Sequence, residues 1–526
     1  MKVLVSDSLS ESGVDRLKDA PNFEVEVNTS LTPEELRQVI GEYDALVIRS
    51  ATKVTADIIE AADNLKVVAR AGIGLDNVDI EAASKRGIVV MNTPEGNVIT
   101  TAEHTIAMLL SLTRNIPQAS ASLKDGKWEK KRFRGKEVFN KTLGIIGVGR
   151  IGRIVADRAK GLKMNVIGFD PYISADAIRQ LDIEAVTFEE LLERADYITV
   201  HTPKTKETQN ILNAEAFKKT KKGVFILNCA RGGIVEEQAL YDAIQSGQVA
   251  GAALDVFVVE PPKDNPLLTL DHVIATPHLG ASTDEAQENV AIAVADQVIE
   301  HLSSGTIRNA VNAPNIDGKV LATMRPYITL SEKLGSVLTQ ITKGAVEKVS
   351  IEYIGDASCQ DARPMTISML KGLLNPILST EVNFVNAPVL ARERNIKVTE
   401  SVRAEAEDFT NLITVSVKTS EQENVVSGAI IGKKEPRLVR INDFRLEAAV
   451  EGHILLIYNI DTPGTIGAIG SCLGKHQINI SLMNVGQVRE RGQNIIFLRT
   501  DAPVPQHVLD ELLAMENVNV VQNLEL

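Results

Sequence analysis

Short apolar runs alternate with amphipathic segments over the first hundred residues of the chain. Four apolar runs predict strands at residues 3–7, 45–48, 67–70 and 88–92. The segment 32–40 has helical periodicity, with Thr32 as a predicted N-cap and Pro33 at the first helical position. Because the strands are apolar throughout and helices separate them, we predict a parallel sheet covered on both faces.

The same alternation restarts near residue 142. Six apolar runs, the number that a complete dinucleotide-binding sheet needs, predict strands at residues 143–146, 165–169, 197–200, 224–227, 252–255 and 273–275. Long helical patterns at residues 99–120 and 283–305 bracket this block. The bracketing predicts a discontinuous first domain, residues 1–97 and 284–312, into which a second domain, residues 98–283, is inserted.

Two further regions follow residue 312. Residues 313–450 are predicted to form a separate α+β domain, with a helix near residues 325–342 and strands at 346–354 and 411–418. This region contains no motif to which a reaction can be assigned. Residues 451–526 have the pattern strand, helix, strand, strand, helix, strand. That order is typical of a ferredoxin-like module.

The composition is that of an ordinary globular protein with several domains. The 526 residues are 44% hydrophobic and 24% charged, and a chain of this length exceeds what one core accommodates. The formal net charge of −13 argues against nucleic acid as a partner and means that an anionic substrate needs local cations. No apolar run approaches the roughly 18 residues of a membrane span, and the amino terminus lacks a signal-peptide pattern.

Three cysteines, at positions 229, 359 and 472, are widely spaced and form no C-x-x-C motif. An odd number of isolated cysteines indicates a reducing compartment and predicts no structural metal. We therefore expect a cytoplasmic protein.

A glycine-rich motif, Gly147-x-Gly149-x-x-Gly152, lies between the predicted strand at 143–146 and a helical pattern. Two of its glycines let the backbone turn and approach a pyrophosphate, and the third lets helix and strand pack closely. Asp170 ends the next strand, 18 residues after Gly152, where a carboxylate binds the adenosine ribose and repels a 2′-phosphate. The motif therefore predicts binding of NAD rather than NADP. The plainer alternative is that it forms only a tight structural turn, with Asp170 as a surface residue.

Arg231, Glu260 and His278 fall within 48 residues, downstream of the glycine motif. Oxidising a secondary alcohol requires a base for the hydroxyl proton, which a neutral imidazole provides when an adjacent carboxylate fixes its tautomer. The planar fork of an arginine binds a substrate carboxylate in a bidentate manner. Each residue alone is compatible with a structural role, as a loop histidine, a solvated acid or an ion-paired arginine. Their combination predicts a dehydrogenase that acts on a 2-hydroxy acid.

Six short segments carry a resemblance to a known family, and they lie at residues 70–79, 92–97, 147–152, 228–233, 253–257 and 277–282. With these segments the chain resembles the D-isomer-specific 2-hydroxyacid dehydrogenases, in particular their long-form members. The resemblance covers essentially the whole chain and implies an α/β fold. It implies that a Rossmann-type nucleotide-binding domain is inserted in a flavodoxin-like substrate domain. It also implies that an α+β intervening domain and a ferredoxin-like ACT domain, a small amino-acid-sensing module, follow.

The resemblance also implies roles for individual residues. Arg231, Glu260 and His278 take the roles of the family's catalytic set. The NAD site is implied to be lined by Gly147, Gly149, Arg150, Ile151, Gly152, Asp170, Thr202, Cys229, Arg231, Asp255, His278, Gly280 and Ala281.

For long-form members the implied reaction is NAD-dependent oxidation of D-3-phosphoglycerate to 3-phosphohydroxypyruvate, the first step of L-serine synthesis. Arg49 and Arg70 end predicted strands where an α/β sheet presents its ligand crevice, and Asn97 begins a helix whose amides favour an anion. The predicted substrate-binding residues are therefore Arg49, Arg70, Gly74, Asn97, Arg231 and His278. Two alternatives stay open: a reductase of an unphosphorylated 2-oxo acid such as hydroxypyruvate or glyoxylate, and a nucleotide-sensing corepressor.

The carboxyl-terminal module resembles an ACT domain at four residues that are predicted to bind an effector, L-serine: Asp461, Gly464, Asn479 and Ile480. Asp461 closes the first strand of the module, Asn479 is expected on the neighbouring strand, and the site is expected where two modules pair. The alternative is that this module and residues 313–450 serve only to assemble subunits. A homodimer or homotetramer is expected.

The basic segment 127–136 is either a solvated loop or, by resemblance, an arm that reaches the neighbouring subunit's active site.

Overall fold

The computed structural model describes residues 1–315, 318–359, 361–378, 381–404, 409–432, 434–488 and 492–526. Throughout these ranges, no helix combines the length and the apolar character that crossing a membrane requires.

The first sheet has five parallel strands in the order β2-β1-β3-β4-β5, which is the flavodoxin-like order. Its strands are β1 (Lys2–Val5), β2 (Glu24–Val27), β3 (Ala45–Ile48), β4 (Val67–Arg70) and β5 (Val89–Met91), and its helices are α1 (Glu11–Lys18), α2 (Pro33–Val39), α3 (Ala56–Glu60) and α4 (Ile80–Lys85). A 3₁₀ turn, Ile40–Glu42, follows α2. Thr32 caps α2 as predicted, because its side chain accepts from the Glu35 amide while Glu35 accepts from the Thr32 amide.

The second sheet has seven parallel strands in the order β12-β11-β10-β9-β6-β7-β8, a doubly wound Rossmann arrangement with its switch point between β6 and β9. Two helices lead into it, α5 (Val98–Arg114) and α6 (Ile116–Lys124). The elements that follow are β6 (Thr142–Ile146), α7 (Arg150–Gly161), β7 (Asn165–Phe169), α8 (Ala175–Arg179), β8 (Glu184–Ala185), α9 (Phe188–Arg194), β9 (Tyr197–Val200), α10 (Ala214–Lys219), β10 (Val224–Asn228), α11 (Glu237–Gln245), β11 (Val249–Leu254), the 3₁₀ turn Pro266–Thr269 and β12 (Val273–Ala275).

The sequence pattern was wrong at three points in these two sheets. It omitted β2, whose glutamates at positions 24 and 26 are exposed, and it omitted β8, which has two residues. It also predicted one helix over 99–120, whereas Asn115 adopts a left-handed conformation, with φ of 53°, and separates α5 from α6. Asparagine tolerates the left-handed conformation, and a residue in this conformation commonly ends a helix.

Helix α12 (Asp284–Ser304) returns the chain from the second sheet to the first. It lies against α1 so closely that a Cβ on Gly13 would come within 2.7 Å of the Ala291 backbone. Val290, Val294 and Val298 are buried in the same core as strand β1. This packing supports the predicted discontinuity of the first domain.

The third region packs two helices on a six-stranded mixed sheet, in the order β14-β13-β15-β16-β17-β18 among the described strands. Its elements are α13 (Gly318–Ile341), β13 (Val346–Gly355), the 3₁₀ turn Asp356–Cys359, α14 (Ala362–Leu374), the 3₁₀ turn Asn375–Ile377, α15 (Ala387–Glu393), β14 (Lys397–Arg403), β15 (Asn411–Thr419), β16 (Glu423–Ile431), β17 (Glu435–Ile441) and β18 (Phe444–Ala449). The sequence predicted α13, β13 and β15 and left the remainder unassigned. Asn383 Nδ2 donates to Gly87 O at 2.9 Å and ties this region to the first domain.

The carboxyl-terminal module is ferredoxin-like, as predicted, with its described strands in the antiparallel order β20-β21-β19-β22. Its elements are β19 (His453–Ile460), α16 (Thr465–Lys475), β20 (Ile480–Val488), β21 (Gln493–Thr500), α17 (Gln506–Leu513) and β22 (Val518–Glu525). Leu455 and Ile457 face a core with both helices, whereas Ile454 and Leu456 belong to the core of the third region. Strand β19 is therefore buried on both faces.

Candidate active site

The imidazole and the carboxylate singled out in the sequence form a pair. His278 Nδ1 lies 2.8 Å from Glu260 Oε2, and both side chains are partly exposed, 46% and 38%. The other oxygen of Glu260 accepts from the Phe257 amide at 3.0 Å, which fixes the carboxylate. With Nδ1 donating to Glu260, the tautomer leaves Nε2 without a proton and able to accept one.

The loop that carries His278 is held by Asp255, which is buried at the end of β11. Its carboxylate accepts from the amides of Leu279 and Gly280, at 2.7 and 2.8 Å, and from Thr276 Oγ1 at 2.6 Å. Burial alone would raise the pKa of Asp255, but hydrogen bonds, first from His104, bring the pKa below its ordinary value. An ionised Asp255 therefore keeps His278, at φ of 54°, in its left-handed turn.

Arg231 lies in the loop after β10, beside the strand that precedes Glu260. The backbone packs so closely there that a Cβ on Gly232 would collide with the Phe257 carbonyl. Arg231 Nε donates to Asp76 Oδ2 at 3.0 Å, and Nη1 donates to Ala230 O at 2.7 Å. Strands β10, β11 and β12 are adjacent and parallel, so their carboxyl ends bring Arg231, Asp255 and His278 to one edge of the second sheet.

The first sheet faces this edge with two more guanidinium groups. Arg70 ends β4 and donates to Gly74 O, and Arg49, just after β3, donates to Ser8 O at 3.0 Å. A Cβ on Gly74 would overlap Arg231 Nη2. Burial lowers the pKa of Arg70 to about 10, and the neighbouring charges of Arg231 and Arg49 add to the shift. Three cations that disfavour one another form a region suited to an anion.

The start of α5 and the start of α7 meet at the same cleft. Asn97 is buried at the N-terminus of α5, makes no capping bond with its side chain, and leaves Oδ1 without a hydrogen-bond partner among the described residues. Arg150, the first residue of α7, donates from Nη1 to Pro94 O at 3.3 Å and so touches the segment before α5. The two helix starts thus contribute uncapped amides to one cleft.

The glycine motif has the geometry of a phosphate-binding turn. Gly147 has φ of +95°, and a Cβ on Gly152 would collide with the Gly147 carbonyl. Gly149 precedes α7 without capping it, and a Cβ there would meet nothing within 4 Å, so internal packing does not require this glycine. The space beside the free α7 amides fits a pyrophosphate.

Two further predicted cofactor residues, Asp170 and Thr202, adjoin this turn. Asp170 braces it, because Oδ2 accepts from the Val148 amide at 2.8 Å while Oδ1 accepts from the amides of Tyr172 and Ile173. Thr202 is buried beside Gly147, and its Oγ1 lacks a hydrogen-bond partner in the described part of the chain. Such an orphaned hydroxyl fits a site that a ligand completes.

Four predicted cofactor residues have more indirect positions. Cys229 is buried, and this burial, followed by the charge of Asp255, raises the pKa of its thiol to about 12. Ile151 packs on the core beneath α7, Gly280 donates to Asp255, and Ala281 is half-buried next to it.

Sequence reasoning missed two residues of this site. Asp76 lies within the motif at 70–79, yet its pairing with Arg231, 155 positions away, has no local signal. His104 lies in no motif of the sequence, and the structure places its Nε2 3.3 Å from Asp255 Oδ1 and 3.2 Å from Thr276 Oγ1. It supports the carboxylate that holds the His278 loop.

The predicted effector residues do not meet within one module. Asp461 follows the end of β19 that pairs with Gln493, whereas Ile480 pairs with Thr500 at the other end of the sheet. Seven residues of strand separate these ends, which corresponds to about 23 Å. Asn479 precedes β20 rather than lying in it, and β21 separates β20 from β19. The expectation of neighbouring strands was therefore wrong.

Around these two ends the side chains have partners. Asp461 Oδ1 accepts from Asn494 Nδ2 at 2.8 Å, and Asn479 Nδ2 donates to Asp501 Oδ2 at 2.9 Å. Gly464, with φ of +93°, precedes α16 without capping it, so the amides of that helix start stay uncapped by a side chain.

Three parts of the chain match known families. Residues 106–280 match the NAD binding domain of the D-isomer specific 2-hydroxyacid dehydrogenases. Residues 323–442 match the D-3-phosphoglycerate dehydrogenase intervening domain, and residues 453–517 match the ACT domain.

Two relatives that match over nearly their full length are D-3-phosphoglycerate dehydrogenases. The chain is 44% identical to a D-3-phosphoglycerate dehydrogenase of Methanocaldococcus jannaschii over 99% of both chains, and 43% identical to one of Archaeoglobus fulgidus over 98% of both. Among solved structures, it is similar to a D-lactate dehydrogenase of Aquifex aeolicus complexed with NAD and lactic acid. That similarity has a TM-score of 0.53 and 27% identity, and it covers 60% of this chain and 100% of the other.

Proposed function

The chain belongs to the D-3-phosphoglycerate dehydrogenases, within the D-isomer specific 2-hydroxyacid dehydrogenases, and we propose that it oxidises D-3-phosphoglycerate to 3-phosphohydroxypyruvate with NAD. The proposal rests on one observation: catalytic-type side chains of the second sheet and cationic side chains of the first sheet face each other across one cleft. The His278–Glu260 pair and Arg231 come from the second sheet, and Arg49 and Arg70 come from the first.

His278 acts as the general base in this proposal. The substrate carries a hydroxyl and a hydrogen on C2, and Nε2 takes the hydroxyl proton as C2 becomes a carbonyl carbon. Bound NAD supplies the acceptor for the hydride that leaves C2. Glu260, 2.8 Å from Nδ1, orients the ring and stabilises the imidazolium that proton transfer produces.

Arg231 binds the substrate carboxylate. Nε and Nη1 are engaged by Asp76 and Ala230, which fixes the plane of the guanidinium. The Nη2 group has no hydrogen bond among the described residues, and it faces the cleft at Gly74. A fixed fork of this kind aligns C2 with the base, because the carboxylate is bonded to C2.

The phosphate has its own cations. Arg49 and Arg70 end neighbouring strands at the carboxyl edge of the first sheet, and the uncapped start of α5 at Asn97 lies in the same cleft. A substrate with a hydroxyl in place of the phosphate does not supply a counter-charge to Arg49 and Arg70, so the arrangement favours a dianionic group.

NAD is held, in this proposal, by the glycine turn, the start of α7, Asp170 and Thr202. The free amides fit the pyrophosphate, and the buried Thr202 hydroxyl has an unused hydrogen-bonding capacity. The carboxylate of Asp170 disfavours a 2′-phosphate, which supports NAD over NADP.

The proposal is tested by initial rates of NAD reduction with D-3-phosphoglycerate beside unphosphorylated D-2-hydroxy acids. We expect a kcat/KM at least tenfold higher for the phosphorylated acid. A preference for hydroxypyruvate or glyoxylate reduction, or no turnover with any hydroxy acid, would reject the proposal in favour of a reductase or a non-enzymatic nucleotide sensor.

We further propose regulation by L-serine at the ACT module, assembly into a homodimer or homotetramer, and a cytoplasmic location. The positions of Asp461 and Asn479 at opposite ends of one sheet support a serine site shared by two modules.

In the basic segment 127–136, Arg132 already pairs with Glu129 and Asp271 of its own chain, whereas Trp128 is 83% exposed. An exposed aromatic side chain of this size supports a contact with a second subunit. The division into residues 1–97 with 284–312, 98–283, 313–450 and 451–526 is likewise our proposal.

A further inference from the structure

The two helices of the ACT module face each other with four side chains of metal-binding types. Cys472 lies on α16, and His476, four residues later, is the residue that directly follows this helix, while His507 and Glu511 are four residues apart on α17. Residues at this spacing lie on the same face of a helix. None of the four takes part in the proposed reaction or in the predicted serine site.

The side chains converge in the structure. The ligand atoms of Cys472, His476 and Glu511 all lie within 4.8 Å of one another, and His476 Nε2 is 2.7 Å from Glu511 Oε2. The ring of His507 is 5.3 Å from that of His476, edge to face. Cys472 is buried, His476 and Glu511 are half-buried and His507 is exposed, so the cluster opens to solvent on one side.

We propose that Cys472, His476, His507 and Glu511 bind one zinc-class divalent cation between α16 and α17. One thiolate, two imidazoles and one carboxylate form a four-coordinate set of the kind that zinc accepts, with distances of about 2.0 to 2.3 Å from metal to ligand. The thiolate selects against magnesium and calcium, which prefer oxygen ligands alone.

The charges of this set also balance. A thiolate and a carboxylate together neutralise a divalent cation, and the two histidines bind as neutral rings. Lys475 Nζ lies 3.0 Å from Glu511 Oε1, so it competes with the metal for this carboxylate. Burial raises the pKa of the Cys472 thiol, and the metal therefore has to displace a proton as well as the lysine.

A bound metal would join the carboxyl-terminal end of α16 to α17, because His476 directly follows α16 and Glu511 lies in α17. His476 is three residues before Asn479, one of the predicted effector residues. The plain alternative is that Glu511 is only a hydrogen-bond acceptor that links Lys475 and His476.

Cobalt and zinc titration of the full-length enzyme, first stripped with a chelator, separates these alternatives. We expect one equivalent of Co²⁺ per chain, with a thiolate-to-cobalt charge-transfer band in the near ultraviolet and intense visible bands of a tetrahedral ion. Zinc should displace the cobalt and raise Tm. The variant Cys472→Ser should remove the charge-transfer band and weaken zinc binding at least tenfold in a competition with a chromophoric chelator.

Two variants provide matched controls. Asp510→Asn removes the neighbouring acid of α17, which accepts from Gln506 at 2.9 Å, and should leave zinc binding unchanged. Lys475→Met removes the competing cation and should retain or strengthen it. If Cys472→Ser does not fold, Glu511→Gln replaces it and should weaken zinc binding to a similar degree. Absence of stoichiometric cobalt binding, or equal zinc affinity in wild type and Cys472→Ser, would overturn the proposal.

Discussion

Arg231 and Asp76 form an ion pair, 3.0 Å from Nε to Oδ2, that joins a loop of the second sheet to a loop of the first. The arginine side chain is 28% exposed and the aspartate 62%. Because Ala230 O also accepts from Arg231, the guanidinium is fixed from two directions. We infer that Asp76 positions the arginine that binds the substrate carboxylate.

Asp76→Asn should therefore lower kcat/KM for the hydroxy acid roughly tenfold, since a charge-assisted hydrogen bond contributes about 1.5–3 kcal/mol. The loss should fall mainly on KM for the acid, with KM for NAD unchanged. The control is Asp63→Asn, which removes a similar exposed aspartate–arginine pair with Arg86 in the same domain. Equal kinetics for both variants would show that Asp76 does not act through Arg231.

Replacing the base should stop proton transfer. His278→Ala is expected to reduce kcat by ~10²–10⁴-fold, because the hydroxyl proton loses its positioned acceptor. The affinity for NAD, measured by fluorescence titration, should change little. His272→Gln alters an exposed histidine before β12 and should behave as wild type. Near-normal turnover of His278→Ala would contradict the assignment.

Much of the architecture was predictable because it depends on local patterns. Buried parallel strands appear as continuous apolar runs, and Gly147, Gly149 and Gly152 mark the turn before α7. Strand β2 was not predictable in this way, because its glutamates face solvent at the edge of the sheet. The break at Asn115 depends on a single left-handed residue within a helical pattern.

The sequence predicts the candidate site as a set of residues but not as a set of contacts. Arg231, Glu260 and His278 follow from the chemistry that they supply. Asp76 and His104 gain their roles only through partners 155 and 151 positions away. The convergence of Cys472 and His476 with residues of α17 likewise arises from helix packing, which the spacing of cysteines along the chain does not contain.

Cofactor preference should depend on the charge of Asp170. Asp170→Asn removes the negative charge and keeps one of the two oxygen acceptors that face backbone amides, so kcat/KM with NADP relative to NAD should rise. A second change that introduces a nearby cation should increase the ratio further. A melting curve checks that the turn still folds. An unchanged ratio, or a wild-type enzyme that prefers NADP, would contradict the role of Asp170.

The serine site should require two modules. L-serine should bind the full-length wild type in calorimetry, and Asp461→Asn and Asn479→Ala should each abolish binding. Mixed oligomers of the two variants should recover part of the binding, because one interface then combines an intact Asp461 with an intact Asn479. Failure of mixing to restore binding would place the site elsewhere. Absence of binding and of inhibition at millimolar serine would leave the module an assembly domain.

The central claim is that this cleft recognises a phosphorylated 2-hydroxy acid, and Arg49 tests it most directly. Its guanidinium donates to Ser8 O alone among the described residues, whereas Arg70 is more deeply buried. The measurement is kcat/KM for D-3-phosphoglycerate and for D-glycerate, in wild type, in Arg49→Ala and in Arg37→Ala, a control on the exposed face of α2. Arg49→Ala should lose about ten- to hundredfold with the phosphorylated acid and little with D-glycerate. Equal losses for both acids, or a wild type that prefers D-glycerate, would contradict the account.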